Sequence, residues 1–546
     1  MKKLGLSSLI VFYLLTNLSC NSMKKADLII KNATVYTVDS NFTVANSFAV
    51  KDGKFLAVGT NESIANQYDA DSVIDVGGKP VYPGFIDGHC HFYYYGMNKL
   101  RYADLVGTNS FSEILDVIEE HRQKHEGDWL LGRGWDQNDW TQKDFPDNKV
   151  LNQRYPETPV ILTRIDGHAV LANDVAIKKA GIRKANIPKG EALYENGTFS
   201  GVFLEGTADK IRDAIPEPDE QGKKDALMTA QNDCFAVGLT SVVDAGLEKP
   251  VIDVIDSLNK TGELKMGMDV MLTPNKENIE AFIEKGHYKT DRLHIHSIKL
   301  FADGALGSRG ACLLEPYSDA PANYGILIKE PDYYRNLFEL AYKNDYQVNT
   351  HAIGDSAVRF LLNEYGKFLE TNNDRRWRIE HAQIVHPDDF AKFGQYNIIP
   401  SVQATHATSD MYWADERIGQ ERLKGSYALK ELLQENGWLV NGTDFPIENI
   451  NPVYTFFASV IRKDLEGYPE EGFQMENALT RKQALRSMTI WAAKGSFEEK
   501  EKGSIEPGKN ADFVILDRDI MKVGEDDLAG AEVNKTFVNG EKVYQK

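Results

Sequence analysis

The sequence predicts an α/β protein built around an eight-stranded parallel barrel, and three observations lead there. Strand-like apolar runs alternate with helical ones through the middle of the chain, the pattern of a parallel sheet crossed by helices. Residues able to do chemistry stand at the C-terminal ends of those runs, where barrels carry their sites. Both chain ends hold short β segments around tight-turn signals, each set too small to bury a core alone. The expected architecture is a (β/α)₈ TIM-type barrel with a large insertion after its first strand, plus a small β-sandwich built from both chain ends.

The first twenty residues stand apart. Lys2 and Lys3 precede an apolar stretch from Leu4 to Leu18, followed by Ser19 and Cys20 and then a polar run. A basic start, a short apolar core and a small residue before the break describe a secretory signal over residues 1–20. The core is too short for a comfortable membrane span. Asn17-Leu18-Ser19-Cys20 resembles a bacterial lipoprotein cleavage site, with Asn17 where an aliphatic residue is usual. The expectation is lipidation of Cys20 and attachment to the cell envelope by that anchor alone, with a periplasmic or secreted protein as the alternative. Cys90, Cys234 and Cys312 remain, an odd, widely spaced set that is no disulfide framework.

Segments 27–38, 47–50 and 55–59 read as strands, with Asp52-Gly53 as a hairpin turn. Residues 512–516 and 535–544, around Asn539-Gly540, have the same texture. Residues 25–80 and 495–546 are therefore expected to form the sandwich, and 81–494 the barrel. Its strands are read at 81–91, 239–245, 265–272, 296–301, 347–351, 377–381, 398–403 and 438–442. The gap after the first is far longer than a normal crossover and is expected to be an inserted lobe, about 100–235, over the barrel mouth.

At 546 residues the chain exceeds one simple core, and 42% hydrophobic with 26% charged residues is ordinary for a globular protein. A formal charge of -19 argues against nucleic acid, whose phosphates such a surface repels.

The most informative pattern is Pro83-Gly84-Phe85-Ile86-Asp87-Gly88-His89-Cys90-His91. In a strand His89 and His91 share a face, and neutral imidazole is a favoured zinc ligand. Cys90 should face away. His351, His381 and Asp444 stand at later strand ends, and Lys299 lies inside an apolar strand, where an amine is costly unless paired or altered. Taken singly, each has a structural reading: a hydrogen-bonded histidine, a helix cap, a buried ion pair. One candidate per strand, in barrel order, favours a shared site.

With these blocks in order, the chain resembles the amidohydrolase superfamily, in the branch of N-substituted formamide deformylase-like enzymes (amidohydrolase family 3). The resemblance rests on the His89-Cys90-His91 block, Lys299-Leu300-Phe301-Ala302-Asp303-Gly304, His351-Ala352-Ile353-Gly354-Asp355, Arg378-Ile379-Glu380-His381-Ala382 and Gly442-Thr443-Asp444-Phe445-Pro446. Gly132-Arg133-Gly134-Trp135-Asp136 and Asp166-Gly167-His168-Ala169 fit the same branch. The resemblance implies two divalent ions, zinc first. His89, His91 and Asp444 would hold one, and His351 and His381 the other. Lys299, N6-carboxylated, would bridge them. It further implies a water activated between the ions, Asp444 carrying its proton to the leaving nitrogen, and His168 donating to the substrate oxygen.

The implied activity is hydrolysis of a small, non-peptide amide. One alternative is a mononuclear deaminase of aminated rings, whose members carry a glutamate where this chain has Gly354. An alternative of another class is a non-catalytic, lipid-anchored binding protein. The architecture also admits a homodimer.

Other residues stay open between two readings. Trp135, Trp140, Trp413 and Tyr317 read equally as pocket walls or plain core. His406 faces substrate or is structural, and Arg309 meets a substrate carboxylate or forms a surface ion pair. His121, His125, His287, His294, His296 and His386 fit no pattern and are expected to be structural or exposed.

Overall fold

The computed structural model describes residues 23–124, 127–137, 140–165, 167, 169–188, 191–195 and 197–546. Cys20 and His168 lie outside them. Among the described residues no helix is long and apolar enough to cross a membrane.

Eight parallel strands form the central sheet in chain order: β1 (Phe85–Cys90), β2 (Leu239–Leu247), β3 (Gly267–Leu272), β4 (Leu293–Phe301), β5 (Gln347–Ala352), β6 (Arg378–His381), β7 (Ile399–Val402) and β8 (Val440–Asn441). Neighbours pair in parallel from β1 to β8, with register shifts between β1 and β2, β2 and β3, and β3 and β4, and helices between them bury their apolar faces on the outside. The last seam, β8 to β1, closes through single bonds: the Asp444 amide donates to the His89 carbonyl at 2.8 Å, and the His91 amide to the Phe445 carbonyl at 2.8 Å. Asp87 reinforces the seam, accepting from the Thr443 hydroxyl at 2.7 Å and from the His89 amide at 3.1 Å.

That seam leaves no room for a side chain at Gly442, where a Cβ would lie 2.4 Å from the His89 nitrogen. Gly442→Ala is expected to destabilise the protein by about 1–3 kcal/mol in denaturant unfolding, because rigid backbone must move. Gly524→Ala, where a Cβ meets nothing within 4 Å, should shift stability by less than about 0.5 kcal/mol.

The run expected as one strand over 81–91 is two. Pro80–Pro83 joins a terminal sheet, and Phe85–Cys90 opens the barrel. The switch occurs where Pro83 has no amide to donate: the Gly84 amide bonds the Asp512 carbonyl at 2.9 Å and the Phe85 amide the Gly238 carbonyl at 3.1 Å. Strand β4 is also longer than read, beginning at Leu293 and taking in His294.

Chain ends interleave in two sheets. One runs in the order Lys54–Gly59, Ser47–Lys51, Lys24–Lys31, Tyr68–Asp75. The other runs Glu541–Gln545, Val533–Val538, Phe513–Leu516, Pro80–Pro83, Thr34–Tyr36, Val44–Ala45. Phe48, Phe55 and Phe513 meet between them, with edge-on contacts at 5.0–5.3 Å from Phe48.

The long gap after β1 holds a six-stranded sheet running from Tyr102–Asp104 to Ala192–Glu195. Both its faces are covered: Leu130 and Leu162 enter one core, Leu131 and Ile161 another. Helix Glu220–Ala236 packs back against helix Phe92–Arg101 and feeds β2.

Candidate metal centre

The C-terminal ends of the barrel strands bring His89, His91, Lys299, His351, His381 and Asp444 together. His89 and His91 present rings 5.8 Å apart, while the Cys90 thiol turns to the Val243 carbonyl. The His381 ring lies 5.1 Å from His89 and 4.5 Å from His351. The Lys299 Nζ is 3.1 Å from His89 Nε2. Asp444 Oδ1 lies 3.3 Å from His91 Nε2 and 3.5 Å from His89 Nε2. Donor atoms of His89, His381 and Asp444 all lie within 4.8 Å of one another. His381 (φ 71°) and Asp444 (φ 62°) adopt the left-handed backbone region, which turns each side chain back into the mouth at a cost in local strain.

The electrostatics follow from burial. Desolvation, then the Lys299 charge, lowers His89 to about 4 and His351 to about 3, so both rings are neutral at physiological pH. His381 is pushed well below its ordinary value, again mainly by burial. Burial lowers Lys299 to about 8. For Asp444 burial acts to raise the pKa, but the facing His91, His89 and His381 hold it well below the usual carboxylate range.

The donor set fits a bound metal ion. His351 Nε2, His381 Nδ1, His406 Nε2 and Asp444 Oδ1 are buried without a hydrogen-bond partner. Such orphans cost about 1–3 kcal/mol each if nothing meets them. Neutral imidazoles and a carboxylate are zinc-type donors.

Several supporting residues escaped the sequence reading. Glu380 bonds His89 Nδ1 and receives the Arg378 guanidinium through Nε at 2.7 Å and Nη2 at 2.9 Å. Arg378 Nη2 also donates to the Gly88 carbonyl and the Ser401 hydroxyl, each at 2.7 Å. This fully buried network fixes the His89 proton on Nδ1 and aims Nε2 at the mouth. The signal was present: Arg378 and Glu380 are two apart in a strand and so share a face. Asp303, raised to about 7 by burial, accepts from the amides of Cys312, Ile353 and Gly354 at 2.8–3.0 Å and so secures the loop after His351.

The remaining candidates divide. His406 joins the site, stacked 5.6 Å from His381, with Nε2 3.6 Å from Asp444 Oδ2. Trp135 does not: it is 1% exposed in the lobe core, its indole donating to the Leu162 carbonyl at 2.9 Å. Of its two readings the structure takes core, because the lobe sheet is covered on both faces. Trp140 and Tyr317 are likewise packed inside, donating to the Thr108 and Ala311 carbonyls. Arg309 takes its ion-pair reading, with Nε and Nη2 on the Asp319 carboxylate at 3.1 and 2.7 Å.

Comparison with known proteins agrees with this geometry. Residues 72–544 match the model of the amidohydrolase family. The chain is 32% identical to the protein LONG AFTER FAR-RED 3 of Arabidopsis thaliana, over 95% of this chain and 92% of that one. It is 27% identical to the N-substituted formamide deformylase of Arthrobacter pascens, over 95% and 98%. Among solved structures, an uncharacterized metal-dependent hydrolase from Pyrococcus horikoshii superposes with a TM-score of 0.79 at 29% identity, covering 91% of this chain and 99% of that one.

Proposed function

The chain belongs to the amidohydrolase family, whose members are metal-dependent hydrolases of carbon–nitrogen bonds, and on that premise we propose that it cleaves the amide of a small, non-peptide substrate. The observation that carries this reading is the convergence of partnerless buried donors from His351, His381 and Asp444 beside His89 and Lys299. His89, His91 and Asp444 would hold one divalent ion, His351 and His381 a second, with Lys299 between them as a carbamate. Zinc suits the donors. Bound there, the metal supplies Lewis acidity and lowers the pKa of water.

The chain's own residues do the rest. Asp444, held ionised, accepts a proton from the attacking water through a carboxylate oxygen as the new C–O bond forms. The same proton passes to the amide nitrogen as the C–N bond breaks, leaving a carboxylic product and a free amine. His406, beside Asp444 Oδ2, orients that carboxylate. His168 is proposed as donor to the substrate oxygen.

Amide hydrolysis is favoured over ring deamination by one local fact. A Cβ at Gly354 would lie 2.1 Å from the Cys312 carbonyl oxygen, so no carboxylate fits where a deaminase carries its glutamate.

Elemental analysis tests the reading. Purified, metal-replete protein should carry zinc, iron or manganese, and His381→Ala should lose metal and hydrolysis together. Unchanged metal and turnover in that variant would contradict it. The lowered Lys299 pKa adds a pH test, since carbon dioxide reacts with the neutral amine. At a fixed partial pressure of labelled carbon dioxide, the initial rate of carbamate formation on the metal-free protein, which follows the neutral amine, should rise about tenfold per pH unit below about 8 and level above it. A flat profile across that range would remove the carbamate.

We also propose export with lipidation at Cys20, on the strength of the leading sequence. Cys20→Ser should move the protein from the membrane to the soluble fraction.

A further inference from the structure

Away from the barrel mouth, a second group of metal-type donors converges among the described residues: Asp269 on β3 with His294 and His296 on β4. These residues lie near the N-terminal starts of their strands, the end opposite Asp444 and His381. Their donor atoms all fall within 4.8 Å of one another, and the residues are 3%, 6% and 1% exposed. The pairing of β3 with β4 is irregular here: Asp269 faces His294, but Met271 faces Ser297, so β4 carries one extra residue. Bulges of this kind re-aim side chains.

We propose that Asp269, His294 and His296 bind a divalent cation, with zinc the best match, as a staple across the barrel floor separate from the catalytic centre. An Asp–His pair alone accounts for one contact, His296 Nε2 to Asp269 Oδ2 at 3.0 Å. It leaves Asp269 Oδ1, His294 Nδ1, His296 Nδ1 and the nearby Ser496 hydroxyl buried with no partner. The two imidazole rings lie only 4.0 Å apart, so both cannot be charged. Donors around a tetrahedral zinc lie about 3.3 Å apart, so the group, now within 4.8 Å, would draw together on binding.

Protonation states match. Burial and the neighbouring His296 lower His294 to about 2, leaving it neutral. Burial acts to raise Asp269, but the hydrogen-bonded His296 holds it below the usual range. The cations facing the group are already paired: Lys502 with Glu498 at 2.7 Å, Lys289 with Glu501 at 2.5 Å. The segment after the last barrel helix covers the group, with Phe497 edge-on to His296 at 5.3 Å and in the left-handed region (φ 59°). A cation would thus join β3 and β4 beneath that cover, with water or the Ser496 hydroxyl in the fourth position.

The test counts metal in a chain whose catalytic centre is disabled. His381→Gln/Asp444→Asn protein, grown with zinc, should retain about one equivalent by elemental analysis, and adding His294→Gln/His296→Gln should remove it. Cobalt substitution should give visible d–d bands in the first protein and not in the second. The catalytic centre is untouched in Asp269→Asn alone, which should lower metal content by about one equivalent while turnover persists. That arm decides the matter if the multiple variants do not fold. The proposal is overturned if the disabled chain folds without metal, or if Asp269→Asn or the histidine variants keep their parent's metal count.

Discussion

Asp444→Asn is expected to lower kcat by about 10²–10⁴, the range for removal of a positioned acid–base group. Asparagine keeps the volume and the Oδ1 that faces His91, so the fold should survive. It cannot take the proton from water or return it to nitrogen. The carboxylate is buried, lies 3.3 Å from His91 and 3.6 Å from His406, and is held well below the usual carboxylate range chiefly by His91. Steady-state kinetics at matched metal content isolates the proton role from any loss of metal. A fall in kcat of less than about tenfold at equal metal occupancy would remove Asp444 as the proton carrier.

The second large effect belongs to Glu380. Glu380→Gln strips the counter-charge from Arg378, which is fully buried, and breaking such a pair costs about 3–5 kcal/mol. It also replaces the carboxylate that orients His89 by a neutral amide with one acceptor oxygen in place of two, and weakening of such a partner typically lowers metal affinity by about 10–100-fold. Arg378→Met/Glu380→Gln separates the two contributions. Removing both charges should restore most of the stability, measured by denaturant unfolding, but not the full metal affinity, measured by competition with a chelator, because an amide orients His89 more weakly than a carboxylate. Recovery of both in the double variant would reduce Glu380 to a purely structural role.

Much of this arrangement is legible in the sequence itself. The strand-end histidines, Lys299 and Asp444 stand out because charge and imidazole are improbable inside apolar strands unless something uses them. What was not legible has physical causes. Glu380 sits one residue before a conspicuous histidine, and its meaning depends on Arg378 and Ser401, the latter from a different strand. The break at Pro83-Gly84 hides within a continuous apolar run, since both halves are buried, one in a terminal sheet and one in the barrel. Trp135 could not be assigned because the lobe sheet is covered on both faces, which erases the alternation that separates core from pocket. His294 and His296 lack any motif, and only β4's pairing with β3 brings Asp269 to them.

Hydrolysis of a carbon–nitrogen bond at the barrel mouth, with a metal held by these residues, has a direct readout in its products. Product analysis tests it most directly, using a panel of N-formyl and N-acyl amines and aminated heterocycles incubated with zinc-loaded protein in bicarbonate, before and after chelation. The expected result is free amine released from one or more amides, abolished by the chelator and restored by zinc. Ammonia released from the heterocycles alone, or amine release indifferent to chelation, would contradict the account.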